Sequence, residues 1–391
     1  MKKSLIQSSI LSVALAFFAM LFGSGNILYP LTLGRDTGVM AVYAMAGFFV
    51  TDVLVPLLGI VAMILYCGSY EDFFATIGKI PGKVVTLTCM LLVGPFCIIP
   101  RSISLAFGAL SWVFPALSLF YFSLISGAIL YILTSRQSGL LNILGKILGP
   151  LKLLLLSAII IKGFFVVSSA VACSLPVASV VMRGVLDGYG TLDLLGAFFF
   201  TNIVLAGLMR KKDTEKLNEK QAVYVAFLGG MLGCLLLGAV YAGFVIVSSF
   251  QSGVCQGIPR EQLLSSLAAQ LLGSAGGILA SVTIAIACLT TAVALTTVFA
   301  DYLSKDFFQK TISYQTALYI TLAIALVLSN YGFETIMESV VPVIMILYPA
   351  LIALALANCI GKMINRDLSK IAFYGVLLIT LIINYGMQFL R

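Results

Sequence analysis

The stretch Phe22-Gly23-Ser24-Gly25-Asn26, residues 22–26, interrupts the first long apolar run of the chain, and its reading decides the fold. Two glycines around a serine, then an asparagine, make a poor helix interior, since a mid-helix glycine costs about 1 kcal/mol relative to alanine. Deep in a membrane such a cluster survives where the freed backbone lines a cavity, or where a neighbouring helix packs closely on it. In the first case the helix is unwound. The carbonyls of Ala19 to Phe22 then end one half-helix and face the amides of Ser24 and Gly25 that begin the next. Carbonyl ends suit a cation or ammonium group, and amide ends suit a carboxylate. One break therefore offers both partners that a zwitterion needs, and the spacing favours it over small-residue packing.

The rest of the chain supports a membrane setting for that break. Its 391 residues are 61% hydrophobic and 10% charged, with a mean hydropathy of +1.12. A soluble domain of this size would be about one-quarter charged. Runs of roughly 20 apolar residues cross a bilayer as helices, because a helix satisfies its own backbone where water is absent. The expected fold class is an all-α polytopic membrane protein with about eleven spans: 8–33, 39–66, 84–110, 113–133, 150–172, 192–209, 221–249, 277–300, 314–330, 337–360 and 371–390. The opening Met1-Lys2-Lys3 resembles a signal peptide, but the run continues through Pro30 without a small-residue cleavage pattern and is read as a retained first span. The two longest loops, 173–191 and 250–276, are expected to hold short helices capping the membrane surface.

Charge sets the orientation. With the N-terminus in the cytoplasm, the inside loops carry 17 basic residues: Lys2, Lys3, Lys79, Lys83, Arg136, Lys146, Lys152, Arg210, Lys211, Lys212, Lys216, Lys220, Lys305, Lys310, Lys362, Arg366 and Lys370. The outside positions carry 4, namely Arg35, Arg183, Arg260 and Arg391. That asymmetry implies a multi-pass protein of a bacterial inner (cytoplasmic) membrane, N-terminus inside and C-terminus outside. It also accounts for the net charge of +8 without nucleic acid as a partner. The partners expected are the lipid bilayer and a small solute. The sequence leaves the oligomeric state open.

The eight cysteines include no CxxC pair, and there is no histidine, so neither a zinc site nor a disulfide scaffold is expected. Cys173 and Cys255 both fall outside, where a bridge between them stays open. Membrane enzymes generally need carboxylate clusters for metal and phosphate, or a nucleophile with a base. The one adjacent acidic pair, Glu71-Asp72, lies in a cytoplasmic loop. No enzyme activity and no cofactor are expected.

Five spans is an odd number, so a second block of five would run inverted. The blocks are residues 1–172 and 173–360, with an extra C-terminal span in 361–391. In span 6, Thr201-Asn202 follows Phe198-Phe199-Phe200, either as the second half of a pocket or as an interhelical hydrogen bond. In span 8, Ala287 precedes the adjacent hydroxyls of Thr290 and Thr291, which could serve Na⁺ or bond back to their own helix. Asp52 in span 2 and Lys162 in span 5 both fall near the bilayer centre, where an isolated charge costs roughly 2.5–3.5 kcal/mol. They could pair, serve separate polar sites, or place the Lys162 ammonium in a cation site. Arg101 in span 3 and Glu338 in span 10 could form an outer gate or snorkel separately.

The stretches FAMLFGSGNILYP (18–30), VGPFCIIPR (93–101), DGYGTLDLLGA (187–197), IACLTTAVALT (286–296) and SNYGFETIMESVVPVIMILYP (329–349) resemble the branched-chain amino acid–cation symporters over nearly the whole chain. The resemblance implies a LeuT-type (APC-type) 5+5 inverted repeat and Na⁺-driven import of leucine, isoleucine or valine by alternating access. Na⁺ would sit between Ala19 and Phe22 of span 1 and Ala287, Thr290 and Thr291 of span 8. The substrate would meet Gly23, Ser24, Gly25 and Asn26, with Phe199, Phe200 and Thr201 opposite. The chain departs from the family in stopping after about eleven spans where twelve are usual, in lacking a glycine at 200–202, and in its midplane charges. The alternative is an H⁺-coupled neutral amino acid carrier with Lys162 in place of Na⁺. A membrane enzyme or a channel is more remote.

Overall fold

A computed structural model describes residues 2–135, 149–166, 170–215 and 218–389. Arg136, Lys146, Lys216 and Arg391, used above to orient the chain, lie outside the described residues. All regular structure among the described residues is helical. Among the described residues, six runs of helix are long and apolar enough to cross a membrane, and four shorter apolar helices accompany them.

The first span is two helices, α1 (Lys2–Leu21) and α2 (Ser24–Thr37), separated at Phe22 and Gly23. Gly23 adopts an extended conformation, φ −117° and ψ −150°, that ends one helical path and starts another. The second span runs as α3 (Ala41–Phe49) and α4 (Val55–Leu65), joined by one π-helical turn over Val50–Leu54 that carries Asp52. Such turns widen a helix locally and often mark functional positions. After the short α5 (Tyr70–Ala75), the segment expected as a single span over 84–110 is instead two helices, α6 (Lys79–Val93) and α7 (Ile98–Ser111). The helices α8 (Leu119–Thr134) and α9 (Gly149–Phe164) follow.

The loop 173–191, where a short surface-capping helix was expected, holds a helix that is instead the first half of the sixth span. This helix, α10 (Val177–Thr191), meets α11 (Asp193–Glu215) at Leu192. Leu192 holds the left-handed conformation, φ 67°, at the end of α10. The sixth span is therefore broken some seven residues before the Phe199–Thr201 stretch where its pocket half was expected. The remaining helices are α12 (Glu219–Phe250), α13 (Leu263–Leu272), α14 (Ser274–Tyr302), α15 (Tyr314–Ser329), α16 (Phe333–Ile364) and α17 (Ser369–Phe389). The short α13 falls within the 250–276 loop, where such a helix was expected.

Packing places both breaks at the centre. The half-helices α1 and α2 lie against α12, while α10 packs on α3 and α11 on α4. Glycine permits the second contact: a Cβ on Gly184 would stand 1.9 Å from the Ala44 carbonyl, and one on Gly47 would stand 2.1 Å from the Val181 carbonyl. All eight cysteines are free, so the bridge left open between Cys173 and Cys255 is not formed. Burial pushes the Cys255 thiol up to about 11, and Arg35 opposes the shift.

Candidate substrate and ion site

Asn26 organises the start of α2. Its Oδ1 accepts the Gly23 N–H at 3.0 Å, capping the helix. Its Nδ2 donates to Asp193 Oδ2 at 2.7 Å and to Tyr241 Oη at 2.5 Å, tying the first break to the second. The first amides of a helix have no acceptor within it, so the Ser24 and Gly25 N–H groups remain available to a ligand. A Cβ on Gly23 would come within 2.9 Å of Thr291 Oγ1, and one on Gly25 within 3.0 Å of Arg101 Nη2 and of the Thr191 Cα. The glycines thus let the unwound backbone approach helices from both sides.

Arg101, 1% exposed, serves the second break. Its Nη1 donates to the Gly190 carbonyl and its Nη2 to the Thr191 carbonyl, each at 2.6 Å. These carbonyls end α10, where the helix dipole is negative and a guanidinium is favoured. Thr191 Oγ1 in turn hydrogen-bonds Asp52 Oδ1. Among the described residues, Arg101 Nε and Asp52 Oδ2 are buried without a hydrogen-bond partner. Tyr348 Oη accepts the Leu194 N–H at 3.1 Å, bracing the start of α11.

A narrow cavity, with room for about one water molecule in this conformation, lies between the two breaks. Gly23, Ser24 and Asn26 form one wall, Arg101 and Asp193 contribute opposite charges, and Phe200 and Leu295 supply apolar surface. The cavity can therefore present amides and a guanidinium to a carboxylate, and a carboxylate to an ammonium.

The match to known proteins fits this layout. Residues 6–389 match the family model described as "Branched-chain amino acid transport protein". This chain belongs to that family. It is 29% identical over 374 residues to branched-chain amino acid permease BraB of Bacillus subtilis, covering 94% of this chain and 83% of the relative. It is 30% identical to permease BrnQ of Lactobacillus delbrueckii (93% and 84% covered) and 29% identical to BrnQ of Escherichia coli (92% and 82%). These relatives are permeases rather than enzymes. Among solved structures, the nucleobase-cation-symport-1 family transporter Mhp1 in a closed conformation superposes with a TM-score of 0.59 at 14% identity, over 95% of this chain and 91% of that one. The manganese transporter of Eremococcus coleocola gives 0.57 at 15% identity, over 98% and 92%. At such identities the likeness is one of fold, and it is the LeuT-type fold that the resemblance implies.

Within this branched-chain amino acid transport family member, the expected residues divide. Gly23, Ser24, Asn26 and Phe200 line the cavity, and Gly25 lies beside it against Arg101. Phe199 turns away to pack edge-on to Tyr70, with ring centroids 5.6 Å apart, beside the Tyr70–Asp306 hydrogen bond. Thr201 donates to Ala197 of its own helix at 2.7 Å, and Asn202 holds the Gly68 carbonyl at 2.8 Å. Of the residues expected to hold Na⁺, Thr290 bonds back to Ala287 O at 2.8 Å, whereas Thr291 Oγ1 reaches Met20 O at 3.2 Å and Phe22 O at 3.4 Å.

The charged residues stand differently from the expectation. Lys162 is exposed and does not reach the site. Lys152, placed above in a cytoplasmic loop, is instead fully buried, and its Nζ donates to Ala19 O at 2.9 Å and Phe22 O at 2.8 Å. Asp52 bonds Thr191 rather than a lysine. Glu338 is exposed, and among the described residues no ion pair joins it to Arg101. Asp193 and Tyr241 were missed altogether. The signal for Asp193 was present, as an acidic residue directly after a glycine-rich stretch at the start of an apolar run.

Proposed function

We propose that this protein is a secondary active symporter that imports branched-chain amino acids by alternating access around the two breaks. The observation that carries this reading is the cavity wall holding Ser24, Arg101 and Asp193 together. The substrate carboxylate meets the Ser24 and Gly25 amides and the free Arg101 Nε. Its ammonium meets Asp193. Phe200 and Leu295 receive the aliphatic side chain. The names of the relatives support leucine, isoleucine and valine as the substrates.

In the same reading, residues 1–172 and 173–360 are inverted repeats, each opening with a broken span, and 361–391 adds a peripheral helix. The chain lies in a bacterial cytoplasmic membrane with its N-terminus inside. An ion gradient drives accumulation. Na⁺ at Ala19, Phe22, Ala287, Thr290 and Thr291 is one candidate and H⁺ the other.

Counterflow of radiolabelled leucine in proteoliposomes tests the substrate class without needing an ion gradient. An apolar pocket distinguishes one methylene by only about 1–3 kcal/mol, so excess isoleucine and valine should each compete, while glutamate and lysine should not. Equal competition by charged amino acids would contradict the assignment.

A further inference from the structure

The carbonyls that end α10 leave their donors one hydrogen short. The last four carbonyls of a helix have no partner within it, and in α10 these belong to Gly188, Tyr189, Gly190 and Thr191. Arg101 donates to the Gly190 and Thr191 carbonyls, and the Leu192 N–H donates to that of Tyr189. For Gly188 O the donor is the Thr191 hydroxyl, at 2.7 Å. The same hydroxyl bonds Asp52 Oδ1 and accepts the Asp193 N–H at 3.4 Å. A hydroxyl has one hydrogen to give and two lone pairs that accept. A carbonyl and a carboxylate both only accept, so that hydrogen cannot serve Gly188 and an ionised Asp52 together. A proton on Asp52 supplies what is missing. Asp52 then donates to Thr191, the Asp193 N–H takes the other lone pair, and Thr191 donates to Gly188.

The setting of Asp52 agrees. None of its surface is accessible, and its Oδ2 is buried without a hydrogen-bond partner. On a carboxylate that oxygen would carry charge into a dry interior with nothing to meet it. On a neutral acid it is a carbonyl oxygen, which costs far less to leave alone. Among the described residues no ion pair reaches Asp52, and both Nη atoms of Arg101 are taken by carbonyls. The other ionisable groups around it are Asp193 of α11, Cys234 and Tyr241 of α12, and Tyr348 of α16. An ionised Asp52 would therefore face a second carboxylate. The backbone fixes the contact, because Asp52 sits on the π-helical turn Val50–Leu54 and Gly188 of α10 leaves no room for a Cβ beside Thr51 of that turn.

We propose that Asp52 is a neutral carboxylic acid whose resident proton fixes the end of α10, which makes it a positioning residue for the substrate site. The proposal rests on reading the two breaks as that site. By donating to Thr191, Asp52 frees the hydroxyl for Gly188 and ties span 2 to the second break. Arg101 stays on the Gly190 and Thr191 carbonyls with its Nε unengaged, and Asp193 remains the carboxylate that meets the ammonium. The proton belongs to the fold and is not released as the carrier turns over.

Infrared spectroscopy reads the proton, and leucine binding and transport read its purpose. Wild-type protein should show a carboxylic-acid C=O band, separate from the carboxylate bands, that Asp52→Asn removes. Asparagine keeps a neutral donor and a carbonyl oxygen in the same places. Asp52→Asn should therefore bind leucine within about twofold of wild type and retain gradient-driven accumulation, whereas Asp52→Ala should weaken binding about tenfold. Absence of the band, or an Asp52→Asn variant as impaired as Asp52→Ala, overturns the neutral acid. Wild-type affinity in Asp52→Ala overturns the positioning role. Counterflow retained with accumulation lost in Asp52→Asn overturns the resident proton, since that proton would then be the one transported. The band found as expected, but with no leucine counterflow by wild type, leaves the acid standing and overturns the substrate reading.

Discussion

Asp193 is the residue on which ligand and scaffold meet. Its Oδ2 accepts from both Asn26 and Tyr241, and the side chain also forms part of the cavity wall. Replacing it with asparagine preserves shape but removes the charge offered to an ammonium. Hydrogen bonds to charged groups contribute about 1.5–3 kcal/mol, so Asp193→Asn should weaken leucine binding by roughly tenfold to a hundredfold. Scintillation proximity binding on purified protein checks this, with size-exclusion elution unchanged; wild-type affinity would contradict it. At this scale the sequence was legible where chemistry is local: Gly23 and Asn26 announce a break by themselves. Lys152 and Lys162 were not distinguishable, because ten residues separate them and turn them roughly 80° apart on a helix. Which of the two points inward depends on the rotation of α9 against α1 and α14, which no local pattern encodes. Lysine adds to the ambiguity, since its long apolar stem suits an interfacial position as well as a buried one.

Among elements, the contact between α3 and α10 is the most exacting. Gly47 and Gly184 bring two backbones together with carbonyls about 2 Å from where side chains would begin. Gly47→Val should force the helices apart, destabilising the protein by about 1–3 kcal/mol or more. A lowered melting temperature in detergent, with a larger aggregated fraction, is the expected readout. An unchanged melting temperature would show that α10 does not dock where described. The same glycines explain why α10 was assigned to a surface loop with a short capping helix and not to the sixth span. Residues 184–190 hold three glycines and Asp187, a composition that usually marks a turn. Here the glycines serve packing: a Cβ on Gly188 would meet Thr51 Oγ1 at 2.0 Å, and one on Gly190 would meet the Tyr29 ring at 2.3 Å. Small residues read as loop signals in water become contact surfaces in a helix bundle. The break itself falls on Leu192, a non-glycine residue in the left-handed region that no propensity argument would select.

For the whole molecule, composition and charge carried most of the reading. A chain with one charged residue in ten and basic residues alternating between loops can only be threaded through a bilayer in a few ways. That threading predicts the accessibility of two cysteines. Cys67 is exposed beyond α4 and Cys173 is half-buried before α10; in the orientation proposed above, the first lies at the cytoplasmic end and the second at the outer end. In intact cells a membrane-impermeant maleimide should label Cys173 and spare Cys67 until the membrane is opened. The reverse pattern would invert the topology. The four buried acidic and basic side chains were beyond the reach of this reading. Their placement is a property of the assembled bundle, in which Arg101, Asp52, Asp193 and Lys152 gather around two breaks from four different spans.

The central claim is that the amino acid is held where α1 and α2 part, between Ser24 and Asp193. A structure determined with bound leucine tests it most directly. The leucine carboxylate should lie at the Ser24 and Gly25 amides and its ammonium toward Asp193, with the Lys152 Nζ still on the Ala19 and Phe22 carbonyls. Leucine bound away from this break, or found with residues 22–25 closed into continuous helix, would contradict it.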